Sequence, residues 1–379
     1  MATRRKPAKV PPGAPQHAHS VLVLQGGGAL GSYQAGVYEG MAEKGFAPDW
    51  VTGVSIGAIN SAIIAGNPPE RRIERLREFW DLVSSGIPLV PPAFLDPMRL
   101  AFNRISASAT VTFGVPGFFT PRVPPPFLQP EGSLEALSVY DTSPLRDTLQ
   151  RLIDFKLINR RQIRLSVGVA NVQTGNSEYF DNRDMEIRVE HIMASGALPP
   201  GFPPVTVQGS HYWDGGLVSN SPLTYVLDDS PDISALIVQV DLFSARGEMP
   251  ATLDQVLERA KDIQYSSKTR FNTNRVKELE ALRVALGRLL KKVPARLHDD
   301  PDYQLLAPVA KNKRNVTIMH LINRRLDTAS SAKDYEFSRA TVLQHWETGL
   351  EDVRRTCAHP LWLDATEATD GVRTYDLTQ

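Results

Sequence analysis

Trp50-Val51-Thr52-Gly53-Val54-Ser55-Ile56-Gly57-Ala58-Ile59-Asn60 passes from a strand pattern to a helix pattern across one pentapeptide, Gly53 to Gly57. Apolar residues run up to Val54, small residues flank Ser55, and a helical pattern over Ile56 to Ala65 follows. Gly-x-Ser-x-Gly between a strand and a helix is the nucleophile elbow, a turn sharp enough to push a serine hydroxyl out of the sheet. The serine then sits at a helix N-terminus, where free N–H groups and the helix dipole favour developing negative charge. Taken alone, the pentapeptide is equally a glycine-rich turn with a helix-capping serine.

On the N-terminal side, Ser20 to Gln25 reads as a buried strand, and Gly26-Gly27-Gly28-Ala29-Leu30-Gly31 turns into a helix through Ala35 to Glu43. Glycines at a strand's carboxyl end leave backbone N–H groups unobstructed, as an oxyanion hole requires. In a parallel sheet this loop and the Ser55 turn lie on one edge. Gly26, Gly28 and Gly31 also spell the dinucleotide fingerprint, with Asp49 at about the distance of a ribose-binding acid. That reading leaves Ser55 unexplained, and Asp49 precedes its strand instead of ending it. A phosphate-binding P-loop fails, because no Lys-Ser/Thr follows.

Strand and helix patterns keep alternating: SPLRDTLQRLI from Ser143, RLSVGVAN from Arg164, VEHIMASGAL from Val189, a strand from Val205 to Tyr212 ending at Asp214-Gly215-Gly216, and ALIVQVDLF from Ala235. Such alternation predicts a three-layer α/β/α domain over about residues 20–243, with a mainly parallel central sheet. Residues 86–132 interrupt it with prolines and with Phe94, Leu95, Phe102, Phe113, Phe118, Phe119 and Phe127, and they show no regular pattern. A solvated linker would not carry so many aromatics, so this stretch is expected to cap the body. Residues 244–379 change to long charged helices, a mainly helical C-terminal region. One of these helices, over Arg275 to Val293, groups Leu279, Leu282, Leu286 and Leu289 on an apolar face with Lys277, Arg283, Arg288, Lys291 and Lys292 mostly outside it; this basic amphipathic helix is expected to pack on its own domain, with rest on a membrane interface as the alternative.

A glycine-rich loop, Gly-x-Ser-x-Gly shortly after it, and a distant Asp-Gly-Gly, in this order, resemble the patatin-like phospholipase family. The match extends from Gly53 through Asn60 and includes ASGALPPGFPPV ahead of Asp214. The resemblance implies Ser55 as nucleophile and Asp214 as its base, Gly26, Gly27, Gly28 and Gly31 as the oxyanion loop, and Gly53, Gly57, Asn60, Gly215 and Gly216 as supporting motif residues. One position departs: Leu30 stands where the family carries Lys or Arg. The implied reaction is hydrolysis of phospholipid or lysophospholipid esters through an acyl-enzyme, with other carboxyl esters, including polyester oligomers, as the alternative; the competing class is a non-catalytic dinucleotide- or membrane-binding module. No cofactor is implied. A histidine base would have to come from His298, His320, His345 or His359 in the tail, or from His191 or His211, and none of these has the setting of a triad.

Composition limits the remaining classes. Forty-two basic residues balance 42 acidic ones, so no global field attracts nucleic acid. Cys357 is the single cysteine, which excludes an intramolecular disulfide and a cysteine-rich metal site. Asp228, Asp229 and Asp232 lack the spacing of a calcium loop. Residues 1–19, basic and rich in Pro and Ala, are expected to be disordered, and Arg4-Arg5 lacks the apolar run of an export signal. The expected partners are a lipid ester and, transiently, a membrane or micelle surface. The expected location is cytoplasmic, with peripheral contact at the inner membrane face left open.

Overall fold

The computed structural model describes residues 19–89, 96–229, 234–266, 269–311, 315–324, 331–363 and 371–378. The N-terminal tail up to residue 18, with Phe94, Leu95 and Asp232, lies outside these. The chain begins with β1 (His19–Leu24), α1 (Ser32–Glu43), β2 (Trp50–Val54), α2 (Ile56–Ala65) and α3 (Arg72–Val83). Next come α4 (Asp96–Phe113) and a short antiparallel pair, β3 (Thr120–Pro121) and β4 (Tyr140–Asp141). Then come α5 (Ser143–Leu152), α6 (Phe155–Asn159), β5 (Arg164–Asn171), β6 (Ser177–Asp181), α7 (Val189–Ser195), β7 (Val205–Val207), β8 (Ser210–Asp214), α8 (Leu223–Asp229) and β9 (Ser234–Asp241). The C-terminal part contains α9 (Leu253–Tyr265), α10 (Thr269–Leu290), α11 (Pro301–Lys311), β10 (Asn315–Ile322), α12 (Arg339–Ala358), α13 (Pro360–Leu363) and β11 (Gly371–Tyr375).

A nine-stranded sheet runs β11-β10-β9-β1-β2-β5-β8-β7, with β6 also on β5. From β11 to β5 every pairing is parallel. Successive strand residues face opposite sides, and the burial follows that rule. Leu22, Leu24 and Val238 join the core under α1, α2 and α12, whereas Val21, Val23 and Ile237 pack with Leu223, Val226 and Leu227 of α8. The result is a helix-sheet-helix sandwich. β10 and β11 extend the same sheet beyond β9, and α12 lies on α1 so closely that Gly36 and Gly349 each have no room for a Cβ.

The register around β5 positions the site. β6 occupies one edge of β5 from Ser166 to Ala170. The other edge is shared: β2 pairs with Arg164 to Gly168, and β8 pairs antiparallel with Val169 to Asn171. The strand ends at Val54 and Asp214 therefore meet head to head.

Three expectations need correction. The strand read from Val205 to Tyr212 is a hairpin, turned by Gln208 and Gly209 with φ of 49° and 86°, both left-handed as a two-residue hairpin turn demands. Residues 86–132 are not without regular structure, because α4 spans 18 residues. Its buried face carries Asn103, Ser106, Ala107 and Thr110 while Ile105 and Phe113 are exposed, so the usual apolar periodicity is inverted. The basic amphipathic helix also differs: α10 leaves Leu279, Leu282 and Leu289 exposed instead of packing them inward. Among the described residues, no helix is long and apolar enough to cross a membrane.

Candidate active site

Ser55 occupies the turn between β2 and α2 with φ 56° and ψ −124°, backbone angles that side chains other than glycine's rarely adopt. Its neighbours make the turn possible: a Cβ on Gly53 would overlap the Gly57 backbone, and one on Gly57 would overlap the Leu24 carbonyl. Ser55 stands at the N-cap position of α2, yet its side chain caps nothing. Its hydroxyl lies close enough to the Asp214 carboxylate to favour the charged form of that group. The backbone is pinned separately, since the Ser55 N–H donates to Ser195 Oγ at 3.0 Å and that hydroxyl donates to the Gly168 carbonyl at 2.6 Å.

Asp214 ends β8 at 2% exposure. The Gly216 N–H donates to its Oδ1 at 2.7 Å, and its own N–H donates to the Ala197 carbonyl at 3.0 Å. Gly215 passes so near β5 that a Cβ would lie 2.6 Å from the Gly168 oxygen. Burial pushes the Asp214 carboxyl up to about 6, against the pull of the adjacent Ser55 hydroxyl and of the Gly216 hydrogen bond. Desolvation penalises the charged form, so the carboxylate is a stronger base than an exposed one.

The glycines after β1 divide by role. Gly26 donates its N–H to the Asn220 carbonyl at 3.2 Å, so that group is committed. Gly27 and Gly28 line the cavity beside Ser55, and among the described residues their N–H groups have no acceptor. Gly31 is set apart: a Cβ there would press on Ile56 and Trp80, and its carbonyl accepts from Asn60 Nδ2 at 2.9 Å. Asn60 also bonds Gln34 and Trp80, so it fastens α2 to α1 and α3 away from the cavity. Leu30 is 1% exposed and packs in the core.

Ser55, Asp214, Gly26, Gly27, Gly28 and Gly216 line one cavity of about 650 Å³. Its walls are largely aromatic and aliphatic, with Phe119, Phe202 and Phe337 each in ring contact with Phe118. Polar groups also reach it from beyond residue 243: Lys261 Nζ bonds Asp334 Oδ1 at 2.7 Å, and Tyr265 stands nearby. Phe118 and Phe119 are buried, whereas Phe113 and Phe127 are 77% and 83% exposed. Ser195, Asn220, Lys261 and Asp334 escaped the sequence reading. Asn220 follows Asp-Gly-Gly closely enough to be suspected as a loop anchor, but nothing marks Lys261 or Asp334 among the charges of their helical region.

None of the histidines weighed as bases lines this cavity. His320 Nε2 meets Asp241 Oδ2 at 2.6 Å. His345 is buried at 1% exposure, and desolvation lowers it to about 3. His298 stacks on Tyr303, His359 accepts from the Leu361 N–H, His191 accepts from the Arg188 N–H, and His211 bonds Thr206. Asp49 lies at the opposite end of β2 from the glycine loop and holds His19 and the Ser20 N–H. Asp229 is taken up by Arg164 and Arg183.

A family model described as patatin-like phospholipase matches residues 22–227, and a second, described as patatin phospholipase, matches residues 263–369. No curated protein sequence matches the chain. Among solved structures, VipD from Legionella pneumophila aligns at 15% identity and a TM-score of 0.34, over 92% of this chain and 71% of that one. The first family match alone spans more than half of the chain: the protein belongs to the patatin-like phospholipase family of lipid acyl hydrolases.

Proposed function

We propose that the chain hydrolyses carboxyl esters of phospholipids or lysophospholipids through a Ser55–Asp214 dyad. The observation that carries this reading is that Ser55, at a strand–helix elbow, and the buried Asp214 carboxylate line one largely apolar cavity of about 650 Å³. A histidine relay has no candidate in that lining.

Ser55 Oγ attacks the ester carbonyl as Asp214 accepts its proton, and a C–O bond forms while the carbonyl π electrons move to oxygen. The Gly27 and Gly28 N–H groups stabilise that oxyanion. Collapse breaks the bond to the leaving alcohol, which takes the proton from Asp214. Water then attacks the acyl-enzyme with Asp214 as base, the free acid leaves, and the proton returns to Ser55. The apolar wall of Phe118, Phe119 and Phe202 would hold the acyl chain. Esters without phosphate are the second reading, supported by Leu30 at the family's basic position and by Lys261, the cation of the lining, being already paired with Asp334.

The cap supports action at a lipid surface. Val111 and Val139 reach from the cavity lining to partial exposure, and Phe113, Val123, Phe127 and Leu128 are strongly exposed around them in sequence. Such apolar groups, with α4 turning its polar face inward, suit contact with lipid. Mass-spectrometric identification of products from mixed phospholipids, lysophospholipids and uncharged esters tests the substrate class. Free fatty acid from the first two supports the proposal, and release from uncharged esters alone transfers it to the second reading.

A further inference from the structure

Asn220 lies four residues beyond Gly216, and both its backbone and its side chain grip Gly26. Its carbonyl accepts the Gly26 N–H at 3.2 Å, and its Nδ2 donates to the Gly26 carbonyl at 3.1 Å. The same Nδ2 donates to the Tyr265 carbonyl at 2.9 Å, at the end of α9. Both acceptors are carbonyls, so the amide orientation is fixed by its partners. A Cβ on Gly26 would overlap Asn220 Oδ1, and one on Gly216 would lie 2.9 Å from it. The glycine loop, the aspartate loop and the C-terminal region thus close around one amide. Gln25, fully buried, adds a parallel tie: its Nε2 donates to the Tyr265 carbonyl at 2.9 Å, and its Oε1 accepts the Leu242 and Phe243 N–H groups.

We infer that Asn220 is a positioning residue for the hydrolysis, setting the Gly26 peptide so that the Gly27 and Gly28 N–H groups face the carbonyl that Ser55 attacks. The inference rests on the Ser55–Asp214 reading. It also gives the region matched over residues 263–369 a part in the site, because Tyr265 belongs to that region. A tetrahedral intermediate needs those N–H groups more than the bound ester does, so misaiming them raises the barrier without weakening binding.

The test measures kcat and KM on one soluble ester, together with the rate of fluorophosphonate labelling, for wild type, Ser55→Ala, Asn220→Ala, Asn220→Ser and Asn220→Asp. Asn220→Ala is expected to lower kcat by about 100-fold, as an ångström-scale misplacement does, with KM within about threefold and the acid limb of the pH profile unmoved. Asn220→Ser, which keeps one donor, falls between it and wild type and serves if the alanine variant does not fold. Asn220→Asp brings a second carboxylate beside Asp214 and moves the acid limb up. If Ser55→Ala is inactive but folded Asn220→Ala or Asn220→Ser turns over at the wild-type kcat, this inference is overturned and the dyad reading stands. Losses that only track the unfolded fraction of each variant also overturn it. Turnover surviving in Ser55→Ala removes the dyad reading and this inference with it.

Discussion

Asp214 stands next after Val54 along one edge of β5: Gly168 pairs with Val54 of β2, and Val169 pairs with Asp214 of β8. Two strands of opposite direction end against each other on that edge, and the turn at Ser55 lifts the chain away just where Asp214 arrives. The separation between the hydroxyl and the carboxylate is therefore set by backbone pairing, not by a flexible loop. The energetic consequences fall on the turn, on the buried acid and on the contacts that hold both.

Ser55→Ala should remove ester hydrolysis while leaving the fold and the backbone strain in place. Ser55→Gly should be equally inactive but more stable than the alanine variant by about 1 kcal/mol, since glycine relieves a left-handed conformation worth about 1–3 kcal/mol and gives part of that back through unfolded-chain entropy. Thermal unfolding of the two variants side by side checks this.

Asp214 accepts a proton in its ionised form, so activity should be lost as pH falls through about 6. Stability runs the other way. The folded chain binds this proton more tightly than the unfolded chain, for which 3.8 is the ordinary value, so stability declines as pH rises from about 4 to about 6. The difference amounts to about 3 kcal/mol. Asp214→Asn should be inactive at every pH, more stable than wild type above about pH 6, and no more stable near pH 3. Denaturant titrations at the two extremes measure it.

Ser195 holds the Ser55 N–H and the Gly168 carbonyl, so Ser195→Ala leaves buried backbone groups unsatisfied. A loss of about 1–3 kcal/mol in stability is expected, with kcat down about tenfold or more through a shifted elbow. Ser195→Thr, which keeps the hydroxyl, should recover part of the kcat. Steady-state kinetics with parallel melting curves tell the two effects apart.

On the proposed action at a lipid surface, the exposed Phe113 and Phe127, not the buried Phe118 and Phe119, are the rings to test. Changing both to Ser should lower the rate on micelles or vesicles several-fold and leave the rate on dispersed monomeric ester within about twofold. Initial rates across a critical micelle concentration give the comparison; equal losses on both sides would make the exposed rings irrelevant to docking.

The strand, turn and helix around Ser55 are legible in sequence because local chemistry dictates them: β-branched and apolar residues before the turn, and two glycines that no other residue can replace without overlap. The parallel sheet is legible for the same reason, from apolar runs buried on both faces. The head-to-head meeting of β2 and β8 is not, because it depends on two pairings between segments distant in sequence, Val54 with Gly168 and Val169 with Asp214. α4 escapes because its buried face is Asn103, Ser106, Ala107 and Thr110, held through contacts such as the Ser106 hydroxyl on Glu336. Lys261, Tyr265, Asp334 and Phe337 reach the cavity from the C-terminal region, and long-range packing of that kind leaves no mark on local periodicity.

The most direct measurement of the dyad is labelling with a fluorophosphonate probe followed by mapping of the modified residue by mass spectrometry, for wild type, Ser55→Ala and Asp214→Asn, at pH values on both sides of 6. The account predicts a single adduct on Ser55 in wild type, faster above pH 6 than below it, no adduct in Ser55→Ala, and a labelling rate for folded Asp214→Asn reduced by about 100-fold or more. An adduct on another residue, or wild-type labelling in folded Asp214→Asn, would contradict it.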